Sequence, residues 1–129
     1  MAVPFLAAWE EEQVLDLSAR EVRAAIMEAQ TAARSGKEGY GSFVFFYCIS
    51  ADDGRVEYYC RRGTRRFPPK GKLNDRVRLA APVSMTFSQN GLSGTSQNVG
   101  LLLISKKRQF KRHIIVAVYT GRVRIEAVK

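Results

Sequence analysis

Basic residues carry most of the chemical character of this sequence, and they fall in three groups. The densest runs from Arg61 to Arg78: Arg61, Arg62, Arg65, Arg66, Lys70, Lys72, Arg76 and Arg78 stand against one acid, Asp75. The second is Lys106, Lys107, Arg108, Lys111 and Arg112, at an expected turn between two strands. The third is Arg122 and Arg124, two apart in an expected strand and therefore on one face of it. Their chemistry is anion binding. Guanidinium groups fork onto phosphate or carboxylate oxygens, and ammonium groups act as point charges. A charge run is also commonly a plain solvated face. Gly63, Pro68-Pro69 and Gly71 argue for an exposed loop over 61–78, where either reading holds.

Other chemistry is sparse. Cys48 and Cys60 are the two cysteines and His113 the one histidine, too few for a zinc site. His113 has no serine or cysteine at a spacing that suggests a nucleophile and its base. The carboxylates form no pair with assignable roles, and the glycines form neither a P-loop nor a dinucleotide fingerprint. No catalytic residue, cofactor or metal is expected, and no enzyme. Cys48 and Cys60 flank the turn signal Asp52-Asp53-Gly54. Across a hairpin they can face each other and, in an oxidising compartment, form a disulfide. The alternative is two free thiols in a half-buried strand.

The element that must position these groups comes first in the chain. From Glu10 to Arg34 there is no proline or glycine. Leu15, Ala19, Val22, Ile26, Ala29 and Ala33 alternate in steps of four and three, one stripe on one helix face. Three of the six are alanines, so something bulky is expected to pack close. Glu10, Glu11 and Glu12 are expected in the first turn, where carboxylates suit the helix dipole, and Arg34 to Gly36 at its close. Such a helix is about 37 Å long. Met1–Trp9 is uncharged and apolar, far too short to span a bilayer, and is expected to be the end of a longer apolar helix.

Everything after the helix predicts strand and turn. Ser42–Ile49 and Val56–Cys60 read as a hairpin, followed by Val83–Phe87, Gly100–Ile104, His113–Tyr119 and Arg122–Val128. In the last strand Val123, Ile125 and Ala127 share one face and Arg122, Arg124 and Glu126 the other. The fold expected is one α+β domain, a long N-terminal helix (1–36) on six or seven antiparallel strands (37–129). The net charge is +9 with a pI near 10. Residues 1–36 hold six acids and three bases, and residues 37–129 eighteen bases and six acids. The β part is thus the cationic one, which implies an anionic partner.

Both ends of the chain resemble the GspH/FimT-type minor pseudopilins of type IV filament systems. The likeness lies in VPFLAAW and LDLSAREVRAAIMEAQTAARSG, then in VSMTFSQNGLSG, and most specifically in HIIVAVYTGRVRI. It covers the helix and residues 83–127; residues 42–79 match only in having strands. The resemblance implies a pilin-like fold and a longer precursor, cut by a prepilin peptidase before an apolar membrane-spanning helix. It implies an extracytoplasmic globular domain in a filament, with other pilin or pseudopilin subunits bound through the helix. Some members bind DNA for natural transformation through a C-terminal G-R-x-R, here Gly121, Arg122, Val123 and Arg124. By that likeness Arg122 and Arg124, backed by Lys106, Lys107, Arg108, Lys111 and Arg112, would bind DNA weakly and without sequence preference. The alternative role is a type II secretion pseudopilin contacting other pseudopilins and exported proteins.

Overall fold

The computed structural model describes residues 4–35, 43–62, 65–89, 91–107 and 109–128. Helix α1 occupies Pro4–Ser35. All six residues of the expected stripe are fully buried. Alanine at Ala19, Ala29 and Ala33 lets the helix backbone approach the sheets, where a larger side chain would overpack by about 1–3 kcal/mol. The described helix includes the apolar stretch from Pro4, whose fixed φ suits a first turn. Glu10, Glu11 and Glu12 therefore lie beyond the first turn, which holds no acid, and the dipole role expected of them is withdrawn.

The strands are β1 (Val44–Ser50), β2 (Val56–Arg62), β3 (Arg65–Lys72), β4 (Val77–Leu79), β5 (Val83–Ser88), β6 (Gly91–Leu92), β7 (Val99–Ser105), β8 (Lys111–Val116) and β9 (Val123–Val128). They form two antiparallel sheets, ordered β3-β2-β1-β5-β6 and β4-β7-β8-β9. Helix α1 packs across both sheets, and one core joins Phe46 and Phe87 of the first with Leu103 and Ile114 of the second. The α+β class expected from the sequence is the class observed. Among the described residues no helix is long and apolar enough to cross a membrane.

The stretch expected as an exposed loop holds β3 and β4 instead. Pro68 and Pro69 donate no backbone hydrogen bond, and β3 tolerates them because it is an edge strand whose pairing with β2 shifts register between Tyr58 and Cys60. Its apolar positions still alternate inward at Phe67 and Pro69.

The cysteines do not face each other. The β1–β2 loop closes from Ala51 to Arg55, since Ser50 pairs with Val56. That register sets Cys48 opposite Tyr58 and Cys60 opposite Phe46, two residues out of step. Diagonal neighbours of this kind lie about 7–8 Å apart, beyond the usual disulfide span. Both are free buried thiols. Burial pushes Cys48 up to about 12, and burial together with the Glu28 carboxylate does the same for Cys60. Neither is a thiolate near neutral pH, so neither is a nucleophile.

Polar ties pin α1 to the sheets along its length. The Tyr58 hydroxyl donates to Glu21 Oε2 at 2.6 Å. Arg112 Nε donates to Asp16 Oδ1 at 2.7 Å, and its Nη2 lies 3.5 Å from Glu12. Gln30 Nε2 donates to the Gly121 carbonyl at 2.7 Å. Asp16 and Gln30 are about 21 Å apart along the helix. Helix α1 therefore runs beside β8 from its first residues to the turn beyond its end.

Candidate nucleic-acid interface

The β8–β9 turn is built around Gly121. Its φ is +71°, a region that costs an L side chain about 1–2 kcal/mol. Gly121 N donates to the Ala117 carbonyl and Ala117 N to the Arg122 carbonyl, both at 2.9 Å. A Cβ on Gly121 would lie 3.2 Å from Arg34 Nη2 and 3.5 Å from Gln30 Nε2. The glycine therefore does two things: it closes the turn, and it lets the end of α1 lie directly against it.

That approach creates a cationic groove. Arg23, Met27, Gln30 and Arg34 share one helix face by their spacing of four, three and four. They meet Thr120 and Arg122 around an open groove of about 430 Å³. A second groove of about 510 Å³, lined by Asn98, Ile115, Thr120, Arg122 and Arg124, lies on the other side of Arg122. Arg122 is thus the ridge between the two. No carboxylate lines either groove. Among the described residues no acid pairs with Arg23, Arg34 or Arg122, whereas Arg124 Nε lies 3.1 Å from Glu126 Oε1. Tyr119, 86% exposed, stands in the same turn and offers a ring to a flat ligand. Cations and an amide in one open groove, with an exposed aromatic ring in the adjoining turn, suit phosphate groups joined to planar bases.

The other residues expected in this patch are elsewhere. Arg122 and Arg124 do face outward together, opposite the inward Val123 and Ile125. Lys106 and Lys107 are exposed in the β7–β8 turn, at the opposite end of β8 from Gly121. Successive hairpin turns must lie at opposite ends of the strand they share, here six residues or about 20 Å long. Lys111 is half-buried at that far end, and Arg108 lies outside the described residues. Arg112 departs furthest from expectation. It projects to the helix side of β8 with Ile114 and Val116, 12% exposed and clamped by Asp16 and Glu12. It is a tie between layers and no part of the outer surface.

Arg23 and Arg34 are the site residues that the sequence reading missed. Their signal is the 23-27-30-34 spacing, which sets two arginines on one face of a helix whose start is acidic.

The denser cationic run of 61–78 is largely engaged. Arg66 Nη1 lies 3.0 Å from Glu57 Oε1, Lys72 Nζ 3.0 Å from Asp53 Oδ2, and Arg76 Nε 3.9 Å from the buried Glu11. Lys72 and the Arg55 amide hold the Asp53 carboxyl below its ordinary range. Arg78 Nη2 donates to Gln109 Oε1 at 3.0 Å. Arg61, Arg65 and Arg66 lie over the rings of Tyr47, Phe67 and Tyr59.

Among the described residues, fold and site together define an α+β domain of one helix on two sheets, with a cationic groove where the helix meets the last hairpin. Comparison with known protein families, curated proteins and solved structures finds no match to this chain.

Proposed function

We propose that this chain is the globular part of a pilin-like minor pilin or pseudopilin and that it binds DNA weakly through the groove at Gly121. The observation that carries the DNA reading is the convergence of Arg23, Arg34 and Arg122 on one open groove with no lining carboxylate. The filament reading is supported by α1 itself. Leu6, Trp9 and Leu17 are large, apolar and roughly half exposed or more, away from the face that covers the sheets. Such a surface suits neighbouring subunits. On this reading the helix continues upstream into a membrane span that a prepilin peptidase processes, and the globular domain works outside the cytoplasm.

Duplex DNA would follow the grooves by its phosphates. The grooves present cations for phosphates and no recognition helix for base edges, so marked sequence preference is not expected. Affinity then comes from counterion release and lies in the micromolar range or weaker, with a log–log salt slope of about −0.9 per phosphate neutralised. Anisotropy titration of a labelled duplex at two salt concentrations tests this. Replacing Arg23, Arg34 and Arg122 together by glutamine removes up to three phosphate contacts and flattens the slope by as much as about 2.7. An unchanged slope in the folded triple variant, or no binding by the parent at low salt, moves the role to a secretion pseudopilin that contacts proteins.

A further inference from the structure

The outer face of the first sheet carries a column of rings that the groove at Gly121 does not use. Phe43, Phe45 and Tyr47 alternate outward along β1 and just before it, and the two phenylalanines are 47% and 42% exposed. Antiparallel pairing sets Arg61 opposite Phe45 and Tyr59 opposite Tyr47 on one flank. On the other flank Thr86 lies opposite Phe45 and Ser84 opposite Tyr47. The Tyr47 and Tyr59 rings stack at 5.4 Å, with the Arg61 guanidinium 4.9 Å from the Tyr47 centroid and that of Arg66 4.1 Å from Tyr59. Rings run down the middle, hydroxyls along one side and guanidinium groups along the other.

We infer that this face binds single-stranded nucleic acid, with bases stacked on Phe43 and Phe45 and the backbone seated on Arg61. Two exposed phenylalanines on a sheet face cost solvation and offer open π-surfaces. Unpaired bases stack on aromatic rings and on guanidinium planes alike, and every base has a face to offer. A duplex hides those faces inside its own stack, so this surface selects single strands. Charge agrees with the assignment. Glu57 and Asp53 are already held by Arg66 and Lys72, and Arg61 has no carboxylate partner among the described residues. An acidic peptide would use the arginines and leave the rings idle.

The inference is independent of the groove at Gly121, and the two are separable in one experiment. The full chain is titrated with a labelled oligothymidine of about twelve nucleotides, a length within the usual site sizes. The comparison ligands are an abasic strand of equal length, a duplex and a polyglutamate peptide. Phe45→Ala weakens oligothymidine binding by roughly 5- to 150-fold, the range for loss of one stacked base. The abasic strand binds the parent protein correspondingly weakly. Phe45→Tyr restores binding because the ring returns, and Phe45→Ala leaves duplex binding unchanged. Phe45 points away from the core, and an unchanged circular dichroism spectrum verifies that the variant folds. Equal affinity for abasic and normal strands overturns the inference. So does polyglutamate binding as tight as oligothymidine, or a folded Phe45→Ala variant that binds oligothymidine like the parent.

Discussion

The stretch 61–78 and the turn at Gly121 are both arginine-rich, yet their charges are arranged in opposite ways. In the first, Arg66, Lys72 and Arg76 have carboxylate partners, Arg78 is bonded to Gln109, and Arg61 and Arg65 lie on rings. At the turn, Arg23, Arg34 and Arg122 come from separate parts of the chain and meet with no acid between them. Three of the run's eight cations are thus neutralised by carboxylates, whereas none of Arg23, Arg34 and Arg122 is paired with one among the described residues. A phosphate gains from a cation in proportion to what that cation gives up, and a guanidinium already hydrogen-bonded to a carboxylate must break that contact first. Pairing, more than density along the chain, decides where an anion binds.

Variants can break or sharpen this division. The largest effect is expected at Arg112, a committed cation that the sequence placed with the free ones. Arg112→Ala removes a mostly buried guanidinium and leaves Asp16 and Glu12 against the sheet without it. Those carboxylates are partly solvated, at 32% and 43% exposure, so the cost falls below that of a fully buried pair. We expect about 2–3 kcal/mol, roughly 10 °C in Tm, with duplex binding by the folded protein within about twofold of the parent. Unchanged thermal stability together with lost DNA binding would place Arg112 among the free cations and dissolve the distinction.

Gly121→Ala comes next. Its positive φ costs about 1–2 kcal/mol, and the methyl group would lie 3.2 Å from Arg34 Nη2, so the end of that side chain must give way. Calorimetry should record that loss, and anisotropy should record weaker duplex binding because the Arg34 guanidinium is displaced in the groove. A variant that loses stability but keeps full DNA affinity would show that the groove does not need the close approach.

The smallest effect is expected at Glu57→Gln, which frees Arg66 of its carboxylate. The pair is at the surface, so stability changes by about 0.5 kcal/mol or less. Duplex affinity rises, by no more than about threefold, since Arg66 still lies over Tyr59. A tenfold gain would mean that the 61–78 limb is as strong a site as the groove and was silenced only by its acids.

Much of the architecture was legible from residue spacing. The stripe from Leu15 to Ala33 is buried at every position, and the alternation of the last strand holds for half-buried Val123 and Ile125 against exposed Arg122 and Arg124 but lapses at Ala127, which is exposed. These features follow from periods of 3.6 and 2, which the backbone geometry of a single element imposes on its own side chains. The strand character of 65–72 was hidden because prolines and charges mark a loop in isolation, and only an edge position with a register shift accommodates them.

What the tertiary structure alone decided is which distant residues share a surface. Cys48 and Cys60 flank one turn, but the point at which the loop closes sets them two residues out of step. Lys106 and Arg122 are both near β8, but at its opposite ends. Arg112 sits among basic neighbours in sequence and among helix acids in space. Arg23 and Arg34 join Gly121 and Arg122 across some ninety residues of chain, as the bond from Gln30 to the Gly121 carbonyl does, with a separation of 91. Register, strand order and helix placement come from loop closure and from packing of the whole core. Local periodicity gives each side chain its face, and the packing of those faces gives it its neighbours.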